Sequence, residues 1–141
     1  MRPRTSPPPA LAVLPALAAA VLLTASCALT TAGSRGDASS VFRNQPPLAA
    51  SEMGAAFDVF TSRLPKEQAK AEAIRRHRLN PARGEYVVTK SAIGLRMLGR
   101  NGPDAKAVTE QFGTPLAVPT PDEMRLLQGL RNNIVRFNSG R

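Results

Sequence analysis

The chain carries one cysteine, one histidine, one tyrosine and no tryptophan in 141 residues. A single cysteine rules out an intramolecular disulfide, so the fold must be held by packing alone. One histidine cannot build a multi-histidine metal site, and no glycine-rich loop follows a strand-like segment to cradle a phosphate. Aromatic residues make up only 4% of the chain. That leaves little to stack on nucleobases, no recognition motif for nucleic acid occurs, and no nucleic-acid partner is expected. His77 lies in a basic run whose nearby carboxylates in sequence are Glu72 and Glu85. These inventories argue against an enzyme, a cofactor and a metal. Only a triad assembled from distant residues stays open, because triads are defined by geometry.

Acidic residues are missing before Asp37, and what stands there instead has three parts. Arg2 and Arg4 supply positive charge, residues 10–23 form an apolar stretch, and the small residues Ala25 and Ser26 precede Cys27. Charge, apolar segment and small residues in that order make an export signal. Pro15 interrupts the stretch, yet residues 16–23 remain helix-compatible. Residues 1–28 resemble a bacterial lipoprotein signal peptide with its lipobox, although Thr24 stands where leucine is usual and Leu23 lies one position early.

That resemblance implies cleavage before Cys27, acylation of its thiol, and a mature protein anchored to a membrane by lipid. Each buried methylene adds ~0.8 kcal/mol, and two or more chains hold stably. Ala28 stands where an aspartate often retains such proteins in the inner membrane, which implies the outer membrane, facing the periplasm. Cleavage after Ala28 or Ala32, releasing a soluble periplasmic protein, is the alternative. An uncleaved span is disfavoured, since it wants ~20 apolar residues and this run is shorter and holds Pro15.

The chain therefore divides into a signal peptide at 1–26, a lipidated N-terminus and tether at 27–50, and a small globular domain at 51–141. The tether is polar and irregular, too poor in apolar area to offset the entropy of ordering. Val41 and Phe42 are exceptions to that composition, read either as incidental or as a docking peptide for the domain or a partner.

The expected domain is α+β, mainly helical, with about four helices and a short two-stranded sheet. A helix over 52–64, capped by Ser51, would align Met53, Phe57, Phe60 and Leu64. A second, mostly solvated helix follows Pro65 to about Leu79. The β-branched and aromatic cluster at 84–90 predicts a strand, and the alternation of Ile93, Leu95 and Met97 predicts another over 92–98. A short helix from Asp104 to Phe112 would stop at Gly113, leaving 114–119 extended. Thr120, Pro121, Asp122 and Glu123 form a capping box that opens the last helix.

Met124, Leu127, Leu130, Ile134 and Phe137 recur along that helix as a stripe that serves either as core or as a partner-binding face. Arg75, Arg76 and Arg78, with Arg83 beyond, are the densest positive region and read either as a solvated helix end or as contacts for an anionic ligand. Net charge is +9, falling by two when Arg2 and Arg4 leave with the signal. The reading that joins these features is a non-catalytic, lipid-anchored envelope protein. Its domain binds a protein partner, as an accessory of a secretion, pilus or surface-attachment assembly, with oligomerisation completing a modest core. The alternative is a soluble periplasmic module for an anionic ligand, contacted through the four arginines.

Overall fold

A computed structural model describes residues 38–141, so Cys27 and the signal segment lie outside the described residues. The chain is helical at 38–40 and then runs through α1 (Met53–Thr61), α2 (Lys66–Arg76), α3 (Pro81–Met97), α4 (Ala105–Phe112) and α5 (Pro121–Ser139). Single 3-10 turns at Ala50–Glu52 and Pro115–Ala117 lead into α1 and follow α4. Among the described residues there is no strand, which corrects the α+β expectation.

Both expected strands belong to α3. Asn80 Oδ1 accepts from the Ala82 amide at 2.9 Å, and Pro81 occupies the first turn, so the helix starts with a side-chain cap and a preset φ. Val87, Val88 and Thr89 favour strands only weakly against this, because helix propensities differ by ~0.7 kcal/mol or less among ordinary residues. Burying one such side chain contributes ~1.5–3 kcal/mol. In the helix, Gly84, Val87, Ser91 and Gly94 form one buried row and Tyr86, Lys90 and Ile93 another. α3 thus lies at the centre, packed against α1, α2 and α5. A helix buried over so wide a face loses the polar stripe that marks helices in sequence.

Close approach at this centre depends on two glycines. A Cβ on Gly84 would collide with the Ile74 side chain, and one on Gly94 with Leu127 Cδ1. The α2–α3 and α3–α5 contacts therefore leave no room for a methyl group.

Phe42 and Leu48, inside the segment expected to be a tether, belong to the same core, with Val41 packed against it. Phe42 is 2% exposed and stands edge-on to Tyr86 and Phe112, with ring centroids 6.2 and 5.7 Å away. Leu48 is buried as well. Averaged composition hides two isolated anchors, Phe42 and Leu48, buried in a core built from residues far along the chain.

Helix ends follow local chemistry. α1 is shorter than expected, and its N-cap position, Glu52, makes no side-chain cap bond; Glu52 instead accepts from the Ala49 amide at 3.0 Å. α2 ends in paired bonds from Arg78 N–H to Arg75 O (3.3 Å) and Leu79 N–H to Ile74 O (3.0 Å), with Arg78 left-handed at φ 53°. Asp104 caps α4 through the Ala107 amide at 2.8 Å, and Gly113 stops it at φ 70°. In α5 the expected capping box forms: Glu123 accepts from the Thr120 amide at 2.7 Å while Thr120 Oγ1 accepts from the Glu123 amide at 3.3 Å.

Candidate functional site

Two polar constellations stand out, one sealed and one open. The sealed one centres on Glu123, only 1% exposed. Its Oε1 accepts from the Leu48 amide at 2.8 Å and from Tyr86 Oη at 3.2 Å. Its Oε2 faces Lys90 Nζ at 3.1 Å, and Lys90 also donates to Tyr86 Oη at 3.1 Å. Burial alone would raise the Glu123 carboxyl, but the amides of Leu48 and Thr120 and the Lys90 ammonium outweigh it and hold the pKa below its ordinary value. Tyr86 is pushed far upward, first by burial and then by the adjacent Glu123 charge. The helix cap of α5 thereby doubles as a clamp that ties residue 48, α3 and α5 together.

Arg83 extends the clamp, its guanidinium engaged within the domain. Its guanidinium pairs with Glu52 (Nε to Oε1 2.6 Å), donates to the carbonyls of Pro46 and Pro47 at 2.6 and 2.7 Å, and stacks 4.7 Å over the Tyr86 ring. The hydrogen bond to Glu52 raises its pKa against the opposing effect of burial. Both prolines present acceptors and no amide donors, a natural seat for a guanidinium.

The open constellation is a groove of about 650 Å³ between α1 and α5. From the first side come Ala50, Met53, Gly54, Phe57 and Asp58; from α5 come Leu126, Gly129, Leu130 and Asn133; His77 closes it from the end of α2. Both rows follow i, i+3, i+4, i+7 spacing, so each wall is one helix face. The mouth is polar: His77 Nε2 lies 2.8 Å from Asp58 Oδ2, which also receives Arg76 Nη1 at 3.2 Å. No residue that lines the groove carries a hydroxyl or thiol.

Gly129 is informative because nothing in the fold requires it. A Cβ there would have no heavy atom within 4 Å, yet glycine in a helix interior costs ~0.8–1.0 kcal/mol relative to alanine. Gly54 differs, since its Cβ would lie 3.1 Å from His77 Cε1.

The structure separates the residues that the sequence grouped. Leu127 and Leu130 are buried in the core, with Met124 and Ile134 packed against it, and Phe137 stacks edge-on to Phe57 at 5.5 Å. The row of α5 that lines the groove is the neighbouring one, shifted from 127 to 126, with the buried Leu130 shared. Arg76 is tied to Asp58 and Glu72, while Arg75 and Arg78 are exposed and have no carboxylate partner among the described residues. Asp58 lies nineteen residues before His77, so the pairing crosses from α1 to the end of α2 and leaves no local signal in the sequence.

A second hollow of about 310 Å³ between α2 and α3 is lined by Lys70, Glu67 and Glu85, whose charges satisfy one another at 2.9 and 2.8 Å. Among the described residues no group of three His, Cys, Asp or Glu side chains could hold a metal ion, and no helix is long and apolar enough to cross a membrane. No family model, curated protein or solved structure matches the chain.

Proposed function

We propose that this protein is a non-catalytic binding module of the bacterial envelope, anchored through acylated Cys27 and using the α1–α5 groove to hold a partner. The observation that carries the binding role is the groove itself. At Gly84 and Gly94 the helices pack so tightly that a methyl group would not fit, whereas Met53, Phe57 and Leu126 line a space of about 650 Å³. A cavity of that size with apolar walls and a few convergent polar groups is the usual form of a binding site. Anchoring rests on the charge, apolar stretch and small residues that precede Cys27. The outer membrane, facing the periplasm, is the location this reading favours. An anionic-ligand role through the arginine cluster is weaker, because Arg83 and Arg76 are already committed to carboxylates.

Intact mass of the protein from its native host, with Cys27→Ala alongside, tests the anchor. A mature chain that begins at Cys27, carries acyl mass and sediments with membranes is expected, and the variant should lose all three properties. A free thiol, or cleavage after Ala28 or Ala32, would discard the anchor.

A further inference from the structure

We infer that the occupant of the α1–α5 groove is an acidic amphipathic α-helix of a partner protein; the inference rests on the groove being a binding site and specifies what it binds. Shape comes first. Each wall is a helix face, and rows spanning seven or eight residues are ~10–12 Å long at 1.5 Å per residue. That length matches two turns of a third helix, whose i, i+3, i+4 and i+7 side chains would meet Met53, Phe57, Leu126 and Leu130. Helices pack at interaxial distances of about 8–10 Å, and the distance depends on the side chains at the crossing, so a small residue allows the closer approach. Gly129 supplies such a point on α5, where a side chain would meet no atom of this domain. The glycine weakens its own helix and relieves no crowding within the domain, so its space is available to a backbone from outside.

Charge selects the sign of the partner. Every acidic side chain among the described residues is already engaged, in an ion pair or, for Asp104, in a helix cap. The positive surplus of the described residues therefore resides on cations without a carboxylate among those residues, including the exposed Arg75 and Arg78, which flank Arg76 and the groove-lining His77 in sequence. Asp58, the one acid that lines the groove, is covered by Arg76 and His77. A helix with carboxylates flanking its apolar row meets this rim favourably, and a basic one is repelled.

The test uses the full chain seated on neutral phosphatidylcholine vesicles and fluorescein-labelled helical peptides read by anisotropy. One peptide has leucine at i, i+3, i+4 and i+7 with glutamate elsewhere; its counterpart has lysine for glutamate. The glutamate peptide should bind, and Gly129→Leu should weaken it about tenfold or more while leaving thermal unfolding unchanged or raised, since position 129 has open space. Arg75→Glu with Arg78→Glu should weaken the same peptide and flatten its salt dependence. If the lysine peptide binds as well or better, and Gly129→Leu removes it, the groove stands as a site and the acidic helix falls. If neither peptide binds, and the wild type cross-links to itself where Gly129→Leu does not, the occupant is a second copy and the inference falls. If neither binds and Gly129→Leu leaves self-association unchanged, the binding role of the groove falls with it.

Discussion

Helix α5 presents two faces, and they are built in opposite ways. Toward α3 it is closed: Leu127 presses on Gly94, and Glu123 is sealed among Leu48, Tyr86 and Lys90. Along the groove it shares with α1 it is open: although Phe57 and Phe137 stack between the two helices, a Cβ on Gly129 would meet nothing within 4 Å, and the ion pair at the mouth, Asp58 with Arg76 and His77, is half-exposed. Both faces use a carboxylate with cationic partners, but water decides what the pairing is for. A sealed pair fixes one arrangement because breaking it strands a charge, whereas a solvated pair can rearrange around an incoming partner at little cost.

Glu123→Ala should have the largest effect. It leaves Lys90, only 6% exposed, without its counter-ion, and it orphans the amides of Leu48 and Thr120 and the Tyr86 hydroxyl. Removing one member of a buried pair costs about 3–5 kcal/mol, a large share of the ~5–15 kcal/mol that holds a typical domain. Urea unfolding should show it directly. Lys90→Met should cost less, because the Glu123 carboxylate keeps its backbone donors; equal losses would mean that the ion pair, and not the amide cradle, dominates the closed face.

Acid should reproduce part of that loss. A carboxyl held below its ordinary value of 4.5 stabilises the fold above that pH, and the contribution disappears as pH falls through the lowered folded value. Tyr86 has the opposite sign: raised above its ordinary 10.0, it contributes stability below pH 10 that is lost as pH rises further. The unfolding midpoint should therefore be level between about pH 5 and 9 and fall on both sides. In Glu123→Ala the acid shoulder should shrink. An unchanged shoulder would assign acid sensitivity to exposed carboxylates instead.

Paired alanine substitutions sharpen the contrast in packing. Gly94→Ala drives a methyl into Leu127 and, at 3.3 Å, towards Pro119 Cγ, so a loss of about 1–3 kcal/mol is expected. Gly129→Ala meets nothing within 4 Å and should stabilise by about 0.8–1 kcal/mol. Chemical denaturation of the two variants should move in opposite directions. A destabilised Gly129→Ala would mean that the groove wall is already occupied.

Which features the sequence revealed follows from their range. The Thr120–Glu123 capping box and the Gly113 stop were legible because each is decided within a few residues. The α3 helix was not: Tyr86, Val87, Val88 and Thr89 are locally strand-like, and the helix is selected by burial against α1, α2 and α5. Phe42 and Leu48 were hidden for a related reason, since their sockets form from Tyr86, Phe112 and the core far along the chain. Of the groove, no feature was legible as such in the sequence; Gly129, a glycine in the interior of the last helix, gains meaning only once the open space beside it is seen. The stripe on α5 was correctly periodic, but periodicity cannot tell which of two adjacent rows faces the core and which lines a space.

The smallest effect belongs to Arg76→Ala, and it is the most direct check on the open face. The Arg76 side chain is 59% exposed while bridging Asp58 and Glu72 at 3.2 and 2.9 Å. Exposed pairs contribute about 0.2–1 kcal/mol, and salt screens them. Denaturation should thus show a loss of about 0.5 kcal/mol that fades in high salt, with Asp58 still held by His77 at 2.8 Å. A loss as large as that of Glu123→Ala, or one that high salt leaves intact, would mean that the mouth is a second structural clamp. The α1–α2 corner would then be rigid, and a partner would have to fit the groove as it stands instead of displacing the arginine from its rim.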